Sequence, residues 1–219
     1  MSVVRDSLAS AGDSSAALGF GGFSGGAAVA LVELFNGTSW LSNPNMNTAR
    51  RFLAGVGTSV STLSFGGLTT TTVATTESFN GTTWINQPNM ITGRQQLAGV
   101  GTAASALSFG GSVSTPLATV ELYNGVNWST QPQLHVARQG LSGAGTSSSA
   151  LAFGGFILAA ASDVSSFDGT AWVVKSNMNS ATYALAGSGT STSALALGGA
   201  VAGTSVEQYS GVSNQFNLI

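Results

Sequence analysis

The chain has 219 residues, of which only 6% are charged, with 6 Lys and Arg against 8 Asp and Glu. So weak a balance lacks the basic footprint that a phosphate backbone requires, and nucleic acid is not an expected partner. Cysteine is absent, which removes disulfides, thiolate nucleophiles and Cys-based metal sites, while 43% apolar residues set the chain apart from disordered sequences.

The opening segment, MSVVRDSLAS, carries Arg5 and Asp6 and has no apolar h-region. No apolar run approaches the ~20 residues of a membrane helix. The expectation is synthesis in the cytoplasm without a signal peptide, and no membrane insertion.

Paired glycines then recur at Gly21-Gly22, Gly66-Gly67, Gly110-Gly111, Gly154-Gly155 and Gly198-Gly199, in steps of 45, 44, 44 and 44 residues. Trp40, Trp84, Trp128 and Trp172 are each 44 apart, and FNG, FNG, YNG, FDG and YSG begin at Phe35, Phe79, Tyr123, Phe167 and Tyr209. A fixed period of this length marks a repeat architecture. The chain therefore reads as a single domain, 1–219, of five repeats starting near residues 1, 46, 90, 134 and 178.

Each repeat contains four short segments with period-2 character, separated by turn residues, the pattern of successive antiparallel strands. In the third copy strand A is LAGVG from Leu97, strand B is ALSFG, strand C is TVELY, and strand D carries Trp128. Strand A is rich in Gly, which fits a crowded innermost position. Asn-Gly at Asn36-Gly37, Asn80-Gly81 and Asn124-Gly125 predicts C to D hairpins in which both turn residues take positive φ, and this outweighs reading the N-G-T sequons as glycosylation sites. The fold class expected is all-β, a five-bladed β-propeller of four-stranded antiparallel blades.

These residues resemble the kelch repeat: Phe109-Gly110-Gly111, then Tyr123, Trp128, Pro132 and Arg138, a pattern covering essentially the whole chain. The short, charge-poor, Ser/Thr/Ala-rich form is also similar to kelch-like repeats in structural proteins of marine bacteriophages. The resemblance implies a propeller. It also brings to mind the copper oxidases among kelch propellers, whose site needs several His and a Tyr joined to a Cys, residues that one His and no Cys do not provide.

Strand C carries Glu33, Glu77, Glu121 and Glu207, and Arg50, Arg94 and Arg138 follow the first three at an interval of 17. Joining the chain ends head to tail gives Arg5 the same interval from Glu207, which favours a ring closing with five blades. Each Glu shares a strand face with the aromatic two residues on, and a buried carboxylate needs a partner. The expected pairs join each Glu to the Arg that opens the next blade: Glu33 with Arg50, Glu77 with Arg94, Glu121 with Arg138, Glu207 with Arg5. In the fourth copy Ser165 and Thr182 replace both members.

No catalytic set and no metal site is expected, and no cofactor. His135 stands where other copies have Asn47, Ile91 and Asn179, a single loop variant. The tryptophans are read as blade-to-blade packing, with Phe216 substituting in the fifth copy. The B to C connections vary most and contain the apolar run Phe156, Ile157 and Leu158; such patches mark partner surfaces, unless the run extends a strand into the core. Candidate partner-binding residues are Phe23, Leu68, Pro116, His135, Phe156, Ile157 and Leu158. The function expected is that of a non-enzymatic structural or attachment module, a fibre, decoration or adhesion component of a phage virion, located on the virion or an extracellular surface and contacting other protein subunits. The alternative is a carbohydrate-binding lectin with repeated pockets, for which cell-surface glycan would be the partner.

Overall fold

The computed structural model describes residues 1–201 and 203–219, and every regular element among them is a strand. The first blade comprises β1 (Ala9–Gly12), β2 (Ala17–Phe20), β5 (Val32–Phe35) and β6 (Trp40–Asn43), with a small hairpin of β3 (Phe23–Ser24) and β4 (Ala27–Ala28) in its B to C connection. The second is β7 (Ala54–Thr58), β8 (Ser61–Phe65), β9 (Thr76–Phe79) and β10 (Trp84–Gln87). The third is β11 (Ala98–Thr102), β12 (Ser105–Phe109), β13 (Val120–Tyr123) and β14 (Trp128–Gln131), and the fourth β15 (Ser142–Thr146), β16 (Ser149–Phe153), β17 (Val164–Phe167) and β18 (Trp172–Lys175). The fifth is β19 (Ala186–Gly189), β20 (Ser193–Leu197), β21 (Val206–Ser210) and β22 (Gln215–Leu218). Each set of four forms one antiparallel sheet in the order A-B-C-D, so the protein is built of the five four-stranded blades of a β-propeller.

Contacts divide the chain into two compact units. One holds residues 1–95, 101–106 and 123–129; the other holds 96–100, 107–122 and 130–219. In the first, Leu18, Phe20 and Val32 of one blade are buried together with Phe79 and Trp84 of the next. In the second, Leu107, Phe109 and Val120 cluster with Ala150, Phe167 and Trp172, and Leu151, Phe153 and Val164 with Ala194, Tyr209 and Phe216. The cores thus lie between consecutive blades, because a four-stranded sheet can remove an apolar face from water only against a neighbour.

The recurring Phe at the end of strand B is the centre of each such core. Phe109 packs on Trp172 at 5.4 Å between ring centroids, Phe65 on Trp128 at 5.0 Å and Phe20 on Trp84 at 5.4 Å. In the fifth blade Phe216 takes the role of the tryptophan, 5.3 Å from Phe153 and opposite Tyr209 across the sheet. The other side of the same Phe explains the strand A glycines. A Cβ on Gly55 would stand 2.3 Å from Cζ of Phe20, one on Gly143 2.5 Å from Cζ of Phe109, and one on Gly187 2.6 Å from Cζ of Phe153. The first strands of adjacent blades run side by side, β1 with β7 and β15 with β19, which leaves that ring no other room.

The paired glycines form the backbone part of the joint. Gly22 N–H donates to the Arg50 carbonyl at 2.9 Å, Gly67 to Arg94 at 2.9 Å, Gly111 to Arg138 at 3.0 Å and Gly155 to Thr182 at 2.8 Å. Both glycines of each pair have positive φ, and a Cβ on Gly21 would lie 2.7 Å from the Arg50 oxygen.

The C to D turns differ from the expectation. Only the glycine has positive φ; Asn36, Asn80 and Asn124 do not. Four residues connect the strands instead of two, and the Asn36 Oδ1 accepts N–H groups of Thr38 at 3.0 Å and Ser39 at 2.9 Å. This is an Asx-turn, in which the side chain supplies the acceptor that a two-residue hairpin takes from its strand.

One repeated feature has no counterpart in residue type. Ser7, Phe52, Gln96, Gly140 and Ala184 occupy the same place just before strand A, and all are left-handed, with φ of 54, 53, 53, 59 and 54°. Gly140 N–H donates to the Gln96 carbonyl at 2.8 Å and Ala184 N–H to Gly140 at 2.7 Å, while Phe52 donates to Ser7 at 2.8 Å. Blade-to-blade hydrogen bonding holds four non-glycine residues in a conformation costing ~1–2 kcal/mol each.

Candidate functional site

The repeated charges are buried inside the blades. Arg50 Nη2 donates to Glu77 Oε1 at 3.2 Å, and Arg5 Nη2 to Glu33 Oε2 at 3.0 Å. The expected partnering is corrected: each of these Arg pairs with the Glu of its own blade, not with the Glu of the blade before, so Glu33 does not meet Arg50. The reason is the path of the side chain. Arg50 runs beneath its own strands B and C, where Nη1 donates to the carbonyls of Gly66 at 2.8 Å and Thr75 at 2.5 Å, and Nη2 to Ser64 Oγ at 3.0 Å. Its main-chain carbonyl, by contrast, receives Gly22 from the preceding blade. Arg50 therefore locks its own sheet with its side chain and the neighbour with its backbone.

The carboxylates also hold the loop that precedes strand A. Glu77 accepts N–H groups of Asn47 at 2.7 Å and Thr48 at 3.2 Å, and Glu207 those of Asn179 and Ser180, both at 2.8 Å. Glu33 takes Ser2 N–H and Oγ, each at 2.6 Å. Burial works to raise the Glu33 carboxyl, but the Ser2 hydrogen bonds and the charge of Arg5 prevail and hold it below the usual carboxylate range. Burial lowers Arg50 to about 10, partly offset by Glu77, so at neutral pH the guanidinium keeps its charge.

With pairing inside the blade, the fourth and fifth copies each retain one member. Arg138 shares its blade with Ser165 and donates instead to the carbonyls of Asp163 at 2.9 Å and Ala152 at 3.1 Å. Burial lowers it to about 10, opposed by the Asp163 charge. Glu207 shares its blade with Thr182. The paired loss of Glu and Arg at positions 165 and 182, expected from their spacing, is therefore two separate losses in different blades. Arg94 and Glu121 are likewise buried.

His135 is a clasp. Its Nε2 lies 2.7 Å from the Trp172 carbonyl, the place taken by Asn47 Nδ2 at the Trp84 carbonyl, 3.2 Å, and by Asn179 Nδ2 at the Phe216 carbonyl, 2.8 Å. An imidazole does here what an amide does elsewhere. The indoles are satisfied unevenly: Trp84 donates to the Pro44 carbonyl at 3.1 Å and Trp128 to Thr76 Oγ1 at 3.1 Å, whereas Trp172 Nε1 is buried without a partner among the described residues. Val120 stands in the third blade where Thr76 stands in the second, and a valine offers no acceptor.

The variable B to C connections hold the remaining candidates. Phe156 is half-buried, edge-on to Tyr183 at 5.2 Å, Ile157 is half-buried, and Leu158 is 94% exposed. The apolar run is thus divided between packing and solvent. Leu68 is half-buried and bridged to Arg51 and Thr72, and Pro116 is bridged to Ser112. Phe23 is half-buried, with the Arg51 guanidinium carbon 4.3 Å above its ring and 5.2 Å from that of Phe52.

Two clefts open beside these loops. One, of about 230 Å³, is lined by Gln96, Gln139, Gly140, Phe156 and Tyr183. The other, of about 400 Å³, is lined by Phe23 and Arg51 together with Gly26, Ala27, Ala28, Ala49, Thr69 and Thr70. Among the described residues no three His, Asp or Glu side chains converge as a metal site would require.

No protein-family model matches the chain, and no curated protein matches it.

Arg51 and Phe52 are the site residues that sequence reasoning missed. Their signal is a departure from the repeat: Arg50-Arg51-Phe52 stands where later copies read Arg94-Gln95-Gln96 and Arg138-Gln139-Gly140.

Proposed function

We propose that the chain is a kelch-type, non-enzymatic structural or attachment module of a larger assembly, with a phage particle as its setting, acting through protein–protein contacts of its B to C loops. The observation that carries the reading is that three successive loops of one unit each hold a large apolar side chain in water: Val113 at 49%, Leu158 at 94% and Val201 at 64% exposure. Apolar groups that gather into one exposed patch mark a partner surface, and these three are its candidate members. The repeated polar residues support it from the other side, since the buried Arg and Glu serve the blades themselves. The kelch-like spacing of Gly-Gly, aromatic and Trp supports the family, and the charge-poor composition supports the phage setting.

The test is co-sedimentation of the purified chain with particles from its source. The wild type and a Val212→Asp control, altered at the 99% exposed residue in the last C to D turn, should co-sediment. Leu158→Asp should not. Equal co-sedimentation of all three, or of none, contradicts the reading.

A second reading, a carbohydrate-binding propeller, draws on the cleft of Phe156 and Tyr183, where an aromatic pair stands beside the amides of Gln96 and Gln139.

A further inference from the structure

We infer that the cleft around Arg51 is a binding site for a carboxylate-bearing sugar, a uronic-acid type of ring, with the Arg51 guanidinium as the group that receives the carboxylate. The chain has six basic residues, and four of them, Arg5, Arg50, Arg94 and Arg138, are buried. Arg51 and Lys175 are the cations left for the surface. Among the described residues Arg51 has no ion pair, and its backbone is fixed by reciprocal bonds with Leu68, at 3.0 and 2.8 Å. Its planar head lies over Phe23 and within reach of Phe52, so two rings hold it in place without occupying the N–H groups along its edge. A guanidinium so positioned loses little freedom when it receives two carboxylate oxygens side by side.

The surroundings select the rest of the ligand. Gly26, Ala27, Ala28 and Ala49 present little more than backbone, which lets a ring approach closely, and Thr69 and Thr70 bring hydroxyls and backbone groups to the opposite loop. At about 400 Å³ the cleft falls at the small end of ligand pockets and suits one substituted ring better than a length of peptide. The site is peculiar to this joint. At the joint formed by Phe156 the cation is replaced by Tyr183, so the repeat itself does not create it.

The inference is independent of the assembly reading, since it concerns other loops and a different kind of ligand. It is tested by titrating the full, isotopically labelled wild-type chain with glucuronate, glucose and acetate and following backbone amide signals. Glucuronate should shift Phe23, Arg51, Thr69 and Thr70 saturably, glucose and acetate at the same concentrations should not, and Arg51→Lys should weaken binding ~10-fold or more. No shift at these residues with glucuronate overturns the inference, without recourse to any variant. Equal binding of acetate overturns the sugar, equal binding of glucose overturns the carboxylate, and undiminished affinity in Arg51→Lys overturns the role of Arg51.

Discussion

Two glycines three residues apart show how differently the same residue type is used. Gly140 is left-handed, with φ of 59°, and a Cβ there would meet nothing closer than 3.5 Å. Gly143 is not left-handed, but its Cβ would stand 2.5 Å from Phe109 and 2.8 Å from the Leu151 carbonyl. Gly140→Ala should therefore cost ~1 kcal/mol in denaturant unfolding, the price of the backbone conformation alone. Gly143→Ala should cost ~3 kcal/mol, because ring and backbone must both give way. The composition of strand A revealed the crowding behind Gly143. Nothing revealed the left-handed position, since Ser7, Phe52, Gln96 and Ala184 are unremarkable types and hydrogen bonds from adjacent blades, not local preference, impose it.

At the scale of the element, period-2 patterning located the strands and the paired glycines located the joints. The C to D turn was misread because Asn-Gly is typical of two-residue hairpins, whereas here Asn acts through its side chain in a four-residue loop. Asp168 occupies the same place in the fourth blade and makes the same bonds, accepting from Thr170 Oγ1 at 2.7 Å and from the N–H groups of Thr170 and Ala171, each at 2.8 Å. Those donors lower its carboxyl to about 2. A carboxylate depressed in the folded state stabilises it above the unfolded pKa of ~4, and the contribution fades as pH falls towards 2. Asn fills this position in three other blades, so Asp168→Asn should keep the turn and remove its titration. Thermal unfolding of both proteins should show the wild type losing ground to the variant between pH 5 and pH 2; parallel curves across that range count against an ionised turn.

Across the whole molecule, what repeats is structural and what departs from the repeat is available for binding. The buried Arg and Glu, the Phe on Gly and Trp, and the Asn or His clasp all belong to the blades or their joints. Arg51 and Leu158 belong to single copies, and Phe23 and Phe156 to two of the five. The sequence carried the coupling of Arg to Glu but not its direction, because in any repeat a forward interval of 17 implies a backward one of 27 or 28, and periodicity weights both equally. Only the course of the Arg side chain beneath its own strands decides. The direct measurement is a pair of double-mutant cycles by equilibrium unfolding, combining Arg50→Met with Glu77→Gln and, separately, with Glu33→Gln. Glu77→Gln alone should cost ~3 kcal/mol or more, and Arg50 and Glu77 should couple by ~2 kcal/mol, while Arg50 and Glu33 should be additive within ~0.5 kcal/mol. Strong coupling of Arg50 to Glu33, with additivity towards Glu77, would contradict the account.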